Sequence, residues 1–163
     1  AHWLFGLPPS QLDILVHPQS IVHSLVAMRD GSVLAQLSAT DMKIPIQYAL
    51  TYPEREQTHL RPLDLSQVKA LEFYEVDEKR YPLLPLARRA LEEGRSLPVA
   101  LNAANEVAVG AFLTRRLAFS SIVNVVRATL DKHRISDSGS LEDVFEVDYE
   151  TRAQAEKLIQ QRF

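Results

Sequence analysis

The chain of 163 residues contains no cysteine, which excludes disulfides and thiolate-ligated metals and suits a reducing cytoplasm. It has five glycines, at positions 6, 31, 94, 110 and 139, and none are spaced to build a glycine-rich dinucleotide loop. No Asp-x-Glu pair stands at a strand end to hold a divalent cation. Basic residues are not in excess: 18 Lys and Arg face 21 Asp and Glu, for a formal charge of -3, so no nucleic-acid-binding surface is implied. No apolar run approaches the roughly 20 residues of a membrane span, and no signal-peptide pattern opens at Ala1. What the chain does have is ordinary globular usage, 46% hydrophobic and 24% charged, enough to bury a core in one domain or two small ones.

The predicted fold class is α+β: a partial mixed sheet with a β-hairpin and helices over 1–78, then a small all-α helical bundle over 79–163. Ala1 to Gly6 reads as the last turn of a helix whose beginning is missing, because bulky residues start at once without a cap. Leu12 to Val16 reads as a short strand. Ile21 to Met28 and Val33 to Leu37 flank Asp30-Gly31, the strongest short hairpin signal. The first of these strands is apolar on both faces, which predicts cover on both sides. Thr40 or Asp41 caps a helix with Pro45 in its first turn, ending by Tyr52-Pro53. Leu63 to Ser66 starts another short helix, and Leu71 to Val76 is another strand.

From Tyr81 onward the period is helical. Leu83, Leu86, Ala87, Ala90 and Leu91 mark one face, with Gly94 as C-cap. Ser96 caps a run through Leu113 that is apolar nearly all round and therefore central. Ile122, Val125, Val126 and Leu130 mark a third helix ending near His133. Ser140 to Asp143 forms a capping box, and Asp148 caps a last helix to Phe163.

Several residues could carry chemistry. His23 sits on an apolar strand, where an imidazole needs a polar partner or a cavity. Ser20, three residues earlier, is placed in the loop before that strand. Met42 is of a type that ordinarily fills a core, and Trp3 reads as a buried aromatic anchor. His17 reads as structural. Asn102, Asn105 and Glu106 share a helix face, with hydrogen bonding to neighbours the simpler reading. The acidic run from Glu142 to Glu150 reads as a solvated helix surface.

Taken in order, the strings His17-Pro18-Gln19-Ser20-Ile21-Val22-His23-Ser24, Asp41-Met42-Lys43-Ile44-Pro45 and Leu101-Asn102-Ala103-Ala104-Asn105-Glu106 resemble the C-terminal part of the 1-deoxy-D-xylulose 5-phosphate reductoisomerase family. The resemblance covers nearly the whole chain. It implies an NADPH-dependent oxidoreductase and isomerase that makes 2-C-methyl-D-erythritol 4-phosphate in the non-mevalonate route to isoprenoids, with a divalent cation (Mg, Mn or Co). It implies that Ser20 and His23 are substrate-binding, and that Met42 is cofactor-binding, against the nicotinamide ring. Thr40 stands where the family often has proline.

The resemblance further implies that no catalytic or metal residue lies on this chain. The nucleotide-binding domain, the Asp-x-Glu pair, the Ser…Asn-Lys substrate-phosphate segment and the mobile closing loop would all fall before Ala1. The implied partners are 1-deoxy-D-xylulose 5-phosphate, the missing N-terminal part of the same protein, and a second copy in a homodimer formed through the sheet; nucleic acid and membrane are not among them. The chain alone is then expected to be inactive. Two competing readings are a free-standing helical scaffold module without catalysis, and a divergent phosphosugar-binding enzyme with another substrate. The scaffold leaves the His17-to-Ser24 string without a purpose.

Overall fold

A computed structural model describes residues 1–162 and shows an α+β chain: six α-helices and one two-stranded antiparallel sheet among the described residues. The helices are α1 (His2–Phe5), α2 (Lys43–Thr51), α3 (Leu83–Glu93), α4 (Leu97–Leu113), α5 (Ile122–Lys132) and α6 (Leu141–Arg162); the strands are β1 (Val22–Ala27) and β2 (Val33–Leu37). They fall into two compact units, one of residues 14–76 and one of residues 1–13 with 77–163.

The helical unit is built around α4. Its alanines at 100, 103, 104, 108 and 111 are wholly buried, and α3, α5 and α6 all pack on it. Small side chains let the helix axes approach closely, which explains why this helix is apolar nearly all round. Helix α5 turns Ile122, Val125, Val126, Thr129 and Leu130 inward at positions i, i+3, i+4, i+7 and i+8. Thr129 can be buried among them because its hydroxyl donates to the Val125 carbonyl at 2.8 Å. Gly94 closes α3 with φ 62°, and its N–H donates to the Ala90 carbonyl. Gly6 ends α1 at φ 65° and ψ 22°, the left-handed helical conformation.

Helix α6 corrects the sequence reading of two elements. It runs unbroken from Leu141, and Asp148 lies inside it. The Asp148 carboxylate is held by Arg152 one turn later, at 2.6 and 3.0 Å, so it has no need to cap a helix. The true start is the expected capping box: Ser140 N–H donates to Asp143 Oδ2, and Asp143 N–H donates to Ser140 Oγ. Phe163 lies outside the described residues. Trp3 is also corrected. It is 84% exposed rather than buried, with the His2 ring edge-on against it. Ser96 precedes α4 as expected, but its hydroxyl makes no cap bond and serves α5 instead.

The second unit is a hairpin with one helix. Gly31 takes φ 87° at the turn, and Asp30 Oδ1 accepts from the Ser32 backbone N–H and hydroxyl. Those bonds to Ser32 hold the Asp30 carboxyl below its usual range. The expected strand at 12–16 and the one at 71–76 shrink to a single bridge between Val16 and Tyr74. The expected helix at Leu63 is a turn, because Asp64 Oδ1 captures the Ser66 N–H and hydroxyl. No residue of 14–76 is buried. The double-sided cover predicted for β1 is therefore absent among the described residues, and Leu25, Val26, Met28, Val33 and Leu34 are all exposed.

Candidate functional site

Two backbone irregularities flank the histidine singled out in the sequence. In the β1–β2 ladder Val22 pairs with Leu37 and Ser24 with Gln36, so His23 is the extra residue of a β-bulge. Bulges re-aim a side chain that regular alternation would place elsewhere, and they concentrate beside functional sites. Ser20 takes φ 50°, a left-handed conformation that costs a serine about 1–2 kcal/mol and persists only where surroundings impose it. Ser20 does lie in the loop before β1, as expected.

The geometry around His23 fixes its chemistry. Its Nε2 lies 2.9 Å from the Ser20 carbonyl oxygen, which can only accept, so Nε2 carries a proton. The Thr40 hydroxyl donates to the same carbonyl at 2.8 Å. Nδ1 faces the Ser38 hydroxyl at 3.3 Å, a weak contact, and that hydroxyl also has the Ala39 carbonyl in reach at 3.1 Å. Neutral His23 thus presents Nδ1 as an acceptor open to a ligand hydroxyl.

Ser20, His23 and Met42 line one cleft of about 550 Å³, together with Ser38, Thr40, Tyr48 and Arg55. Asp41 orders the approach to Met42 by accepting the Lys43 N–H at 2.9 Å. Met42, just before α2, is 71% exposed and offers an apolar surface beside Ile44 and Pro45. Sequence reading missed Arg55, Tyr48 and Ser38. Arg55 lies 4.1 Å above the Tyr48 ring, a cation–π contact, on a loop tied back to α2 by Gln47 and Thr51. No carboxylate pairs with Arg55 among the described residues. The one signal in the sequence was Tyr52-Pro53, which turns the chain back toward α2.

The other sequence candidates stay structural. His17 stacks on Phe73 at 4.6 Å, and its Nδ1 donates to the Glu72 carbonyl at 2.8 Å. Asn102 donates to Glu106, whose carboxyl is held low by hydrogen bonds from Arg152 first and Asn102 second. Among the described residues no group of three or more His, Cys, Asp and Glu could hold a metal ion, and no helix is long and apolar enough to cross a membrane.

The hairpin with its bulged histidine, the cleft and the alanine-cored bundle define a piece of a reductoisomerase fold, and residues 37–154 match the family described as the DXP reductoisomerase C-terminal domain. The chain belongs to the 1-deoxy-D-xylulose 5-phosphate reductoisomerase family and corresponds to its C-terminal part. It is 49% identical over 156 residues to the enzyme of that name from Endomicrobium trichonymphae, and 52% identical over 159 residues to the one from Burkholderia lata. It covers 96% and 98% of itself in these matches but spans only 40% of the length of either relative. A Zymomonas mobilis reductoisomerase solved with NADPH superposes with a TM-score of 0.92 at 42% identity, over 99% of this chain and 43% of that one. A reductoisomerase solved with NADPH, fosmidomycin and magnesium gives 0.93 at 42% identity, over 99% and 42%.

Proposed function

We propose that this chain forms one wall of the active site of an NADPH-dependent reductoisomerase that converts 1-deoxy-D-xylulose 5-phosphate to 2-C-methyl-D-erythritol 4-phosphate. The observation that carries the proposal is the convergence of Ser20, His23 and Met42 on a single cleft. Ser20 and His23 contact substrate. His23 Nδ1 accepts from a substrate hydroxyl, and its ring cannot turn away while Nε2 donates to the Ser20 carbonyl. Met42 supplies a flat apolar wall for a nicotinamide ring, which its exposure and its Ile44 and Pro45 neighbours suit. NADPH, when bound, supplies hydride.

The cleft fits part of that cofactor only, since no glycine-rich loop is present to cradle its phosphates. No cluster among the described residues could hold the metal, whose ligands this reading places in the N-terminal part. The complete protein then comprises this chain with an N-terminal nucleotide-binding and metal-binding part, acts in the cytoplasm, and pairs as a homodimer. The uncovered apolar faces of β1 and β2 support that reading, because such a surface asks for cover.

Alone, the chain turns nothing over. The test is NADPH oxidation with substrate and magnesium, by the pure 163-residue chain and by the chain joined to the N-terminal part of a reductoisomerase. The joined protein should be active and the chain alone silent. In the joined protein His23→Ala should lower kcat/KM by about tenfold to a hundredfold, the worth of one ligand hydrogen bond of this kind. Turnover by the chain alone, or an unaffected His23→Ala protein, would overturn the proposal.

A further inference from the structure

The bond that orients His23 depends on Ser20, and Ser20 follows a loop that is hydrogen-bonded to the segment around Glu72. The connection can be followed atom by atom. The backbone N–H groups of Val16 and Tyr74 each donate to the other's carbonyl at 2.9 Å, an isolated bridge. Beside it His17 Nδ1 donates to the Glu72 carbonyl at 2.8 Å, and the His17 ring stacks nearly parallel on Phe73. Gln19 then closes a two-way pair with Glu72: its Nε2 donates to Glu72 Oε2 at 2.6 Å, and its Oε1 accepts the Glu72 backbone N–H at 3.2 Å. The Tyr74 hydroxyl donates to the other carboxylate oxygen at 3.0 Å, so neither oxygen of Glu72 is idle. The Ser20 N–H donates back to the His17 carbonyl at 3.1 Å, which locks the turn between the brace and Ser20. The Ser20 carbonyl that emerges accepts from both His23 Nε2 and Thr40.

We propose that Gln19 and Glu72 are positioning residues: their paired hydrogen bonds hold Ser20 left-handed, and the Ser20 carbonyl thereby selects the His23 tautomer that leaves Nδ1 open as an acceptor in the cleft. A ring nitrogen's role is set by the bond its twin makes. A backbone carbonyl is a tautomer-setting partner that never changes charge. The inference rests on the reading of Ser20 and His23 as substrate contacts, and it names what makes that contact specific.

The test is the ¹⁵N spectrum of the His23 ring in the 163-residue chain, well above the imidazole titration. The native chain should show one protonated nitrogen, Nε2, and one bare nitrogen, Nδ1. In Glu72→Ala or Gln19→Ala the two resonances should move toward each other as the tautomers mix. The exchanged pair Q19E with E72Q restores the donor and acceptor geometry in reverse, and should return the native pattern. That rescue separates positioning from folding, because a variant that loses the hairpin altogether cannot be rescued by swapping two side chains. A His23 pattern unchanged in both alanine variants overturns the inference, as does failure of the exchanged pair to restore it. The reading beneath it is checked separately by the kcat/KM of His23→Ala in the joined protein. An unaffected kcat/KM with the native ¹⁵N pattern and an intact brace would count against that reading alone.

Discussion

Replacing Ser96 by alanine should destabilise the helical unit while leaving its response to acid in place. Ser96 is wholly buried, and its Oγ accepts the Ser136 N–H at 2.9 Å. Its own proton is therefore free to go to His133 Nε2, 2.8 Å away, which requires His133 to be neutral there. Alanine strands two groups at once, the Ser136 N–H and the His133 nitrogen. A buried polar group left without its partner costs about 1–3 kcal/mol, and both groups are partly buried, so a combined loss of about 2 kcal/mol is expected. For a unit of this size that lowers Tm by about 10 °C.

The pH dependence follows from the burial of His133. Burial lowers the His133 pKa from its ordinary 6.5, against a weaker upward pull from Glu150. With the folded value below the unfolded one, stability is complete above about pH 6.5 and is lost as pH falls through the folded value. Thermal unfolding followed by circular dichroism at 222 nm, from pH 8 down to pH 5, should therefore show Tm falling through the acid limb in the native chain. In Ser96→Ala the curve should start lower but keep its acid limb, because burial rather than the Ser96 bond lowers the His133 pKa. A Ser96→Ala protein within about 0.5 kcal/mol of native, or one whose acid limb has vanished, would refute the reasoning.

Leu97→Ala, at a side chain only 1% exposed, should cost about 2–5 kcal/mol by urea unfolding. Val26→Lys, at 55% exposure on an uncovered strand, should change the stability of the isolated chain by less than about 0.5 kcal/mol. Amide exchange should be at least tenfold faster over 22–37 than over 100–111, since the hairpin unit buries no residue and α4 buries five alanines. Arg152→Leu should cost no more than about 1 kcal/mol, with the loss shrinking as salt rises, because its pairs with Asp148 and Glu106 are largely solvated.

Local physics was legible wherever it governed the outcome. Asp30-Gly31 announced the hairpin because the turn itself needs those residues, and the α5 stripe announced a helix because its period matches its buried face. Asp148 misled because an aspartate that could cap a helix was instead satisfied by Arg152, a pairing inside a longer helix. Leu12 to Val16 and Leu71 to Val76 had strand composition but met over one residue pair only. Trp3 and the two faces of β1 carry the character of a buried surface that nothing among the described residues covers. In the cleft, Ser20, His23 and Met42 were found through their likeness to a family, whereas Arg55 and Ser38 are brought there by the hairpin and the turn after α2. No short-range pattern marks residues whose only shared property is the space they enclose.

The wholly buried alanines of α4 carry a consequence for how such a chain can vary over time. A wholly buried alanine of α4 has no smaller residue to retreat to except glycine, which loosens the helix by about 1 kcal/mol per site. It has no larger one to advance to without prising α5 and α6 apart. Drift along this axis is closed in both directions, while outward positions of α5 such as Asn124 and Arg127 are open to it. Among descendants of this sequence, α4 should be the slowest-changing line through the bundle, for reasons of space that owe nothing to the chemistry of the cleft.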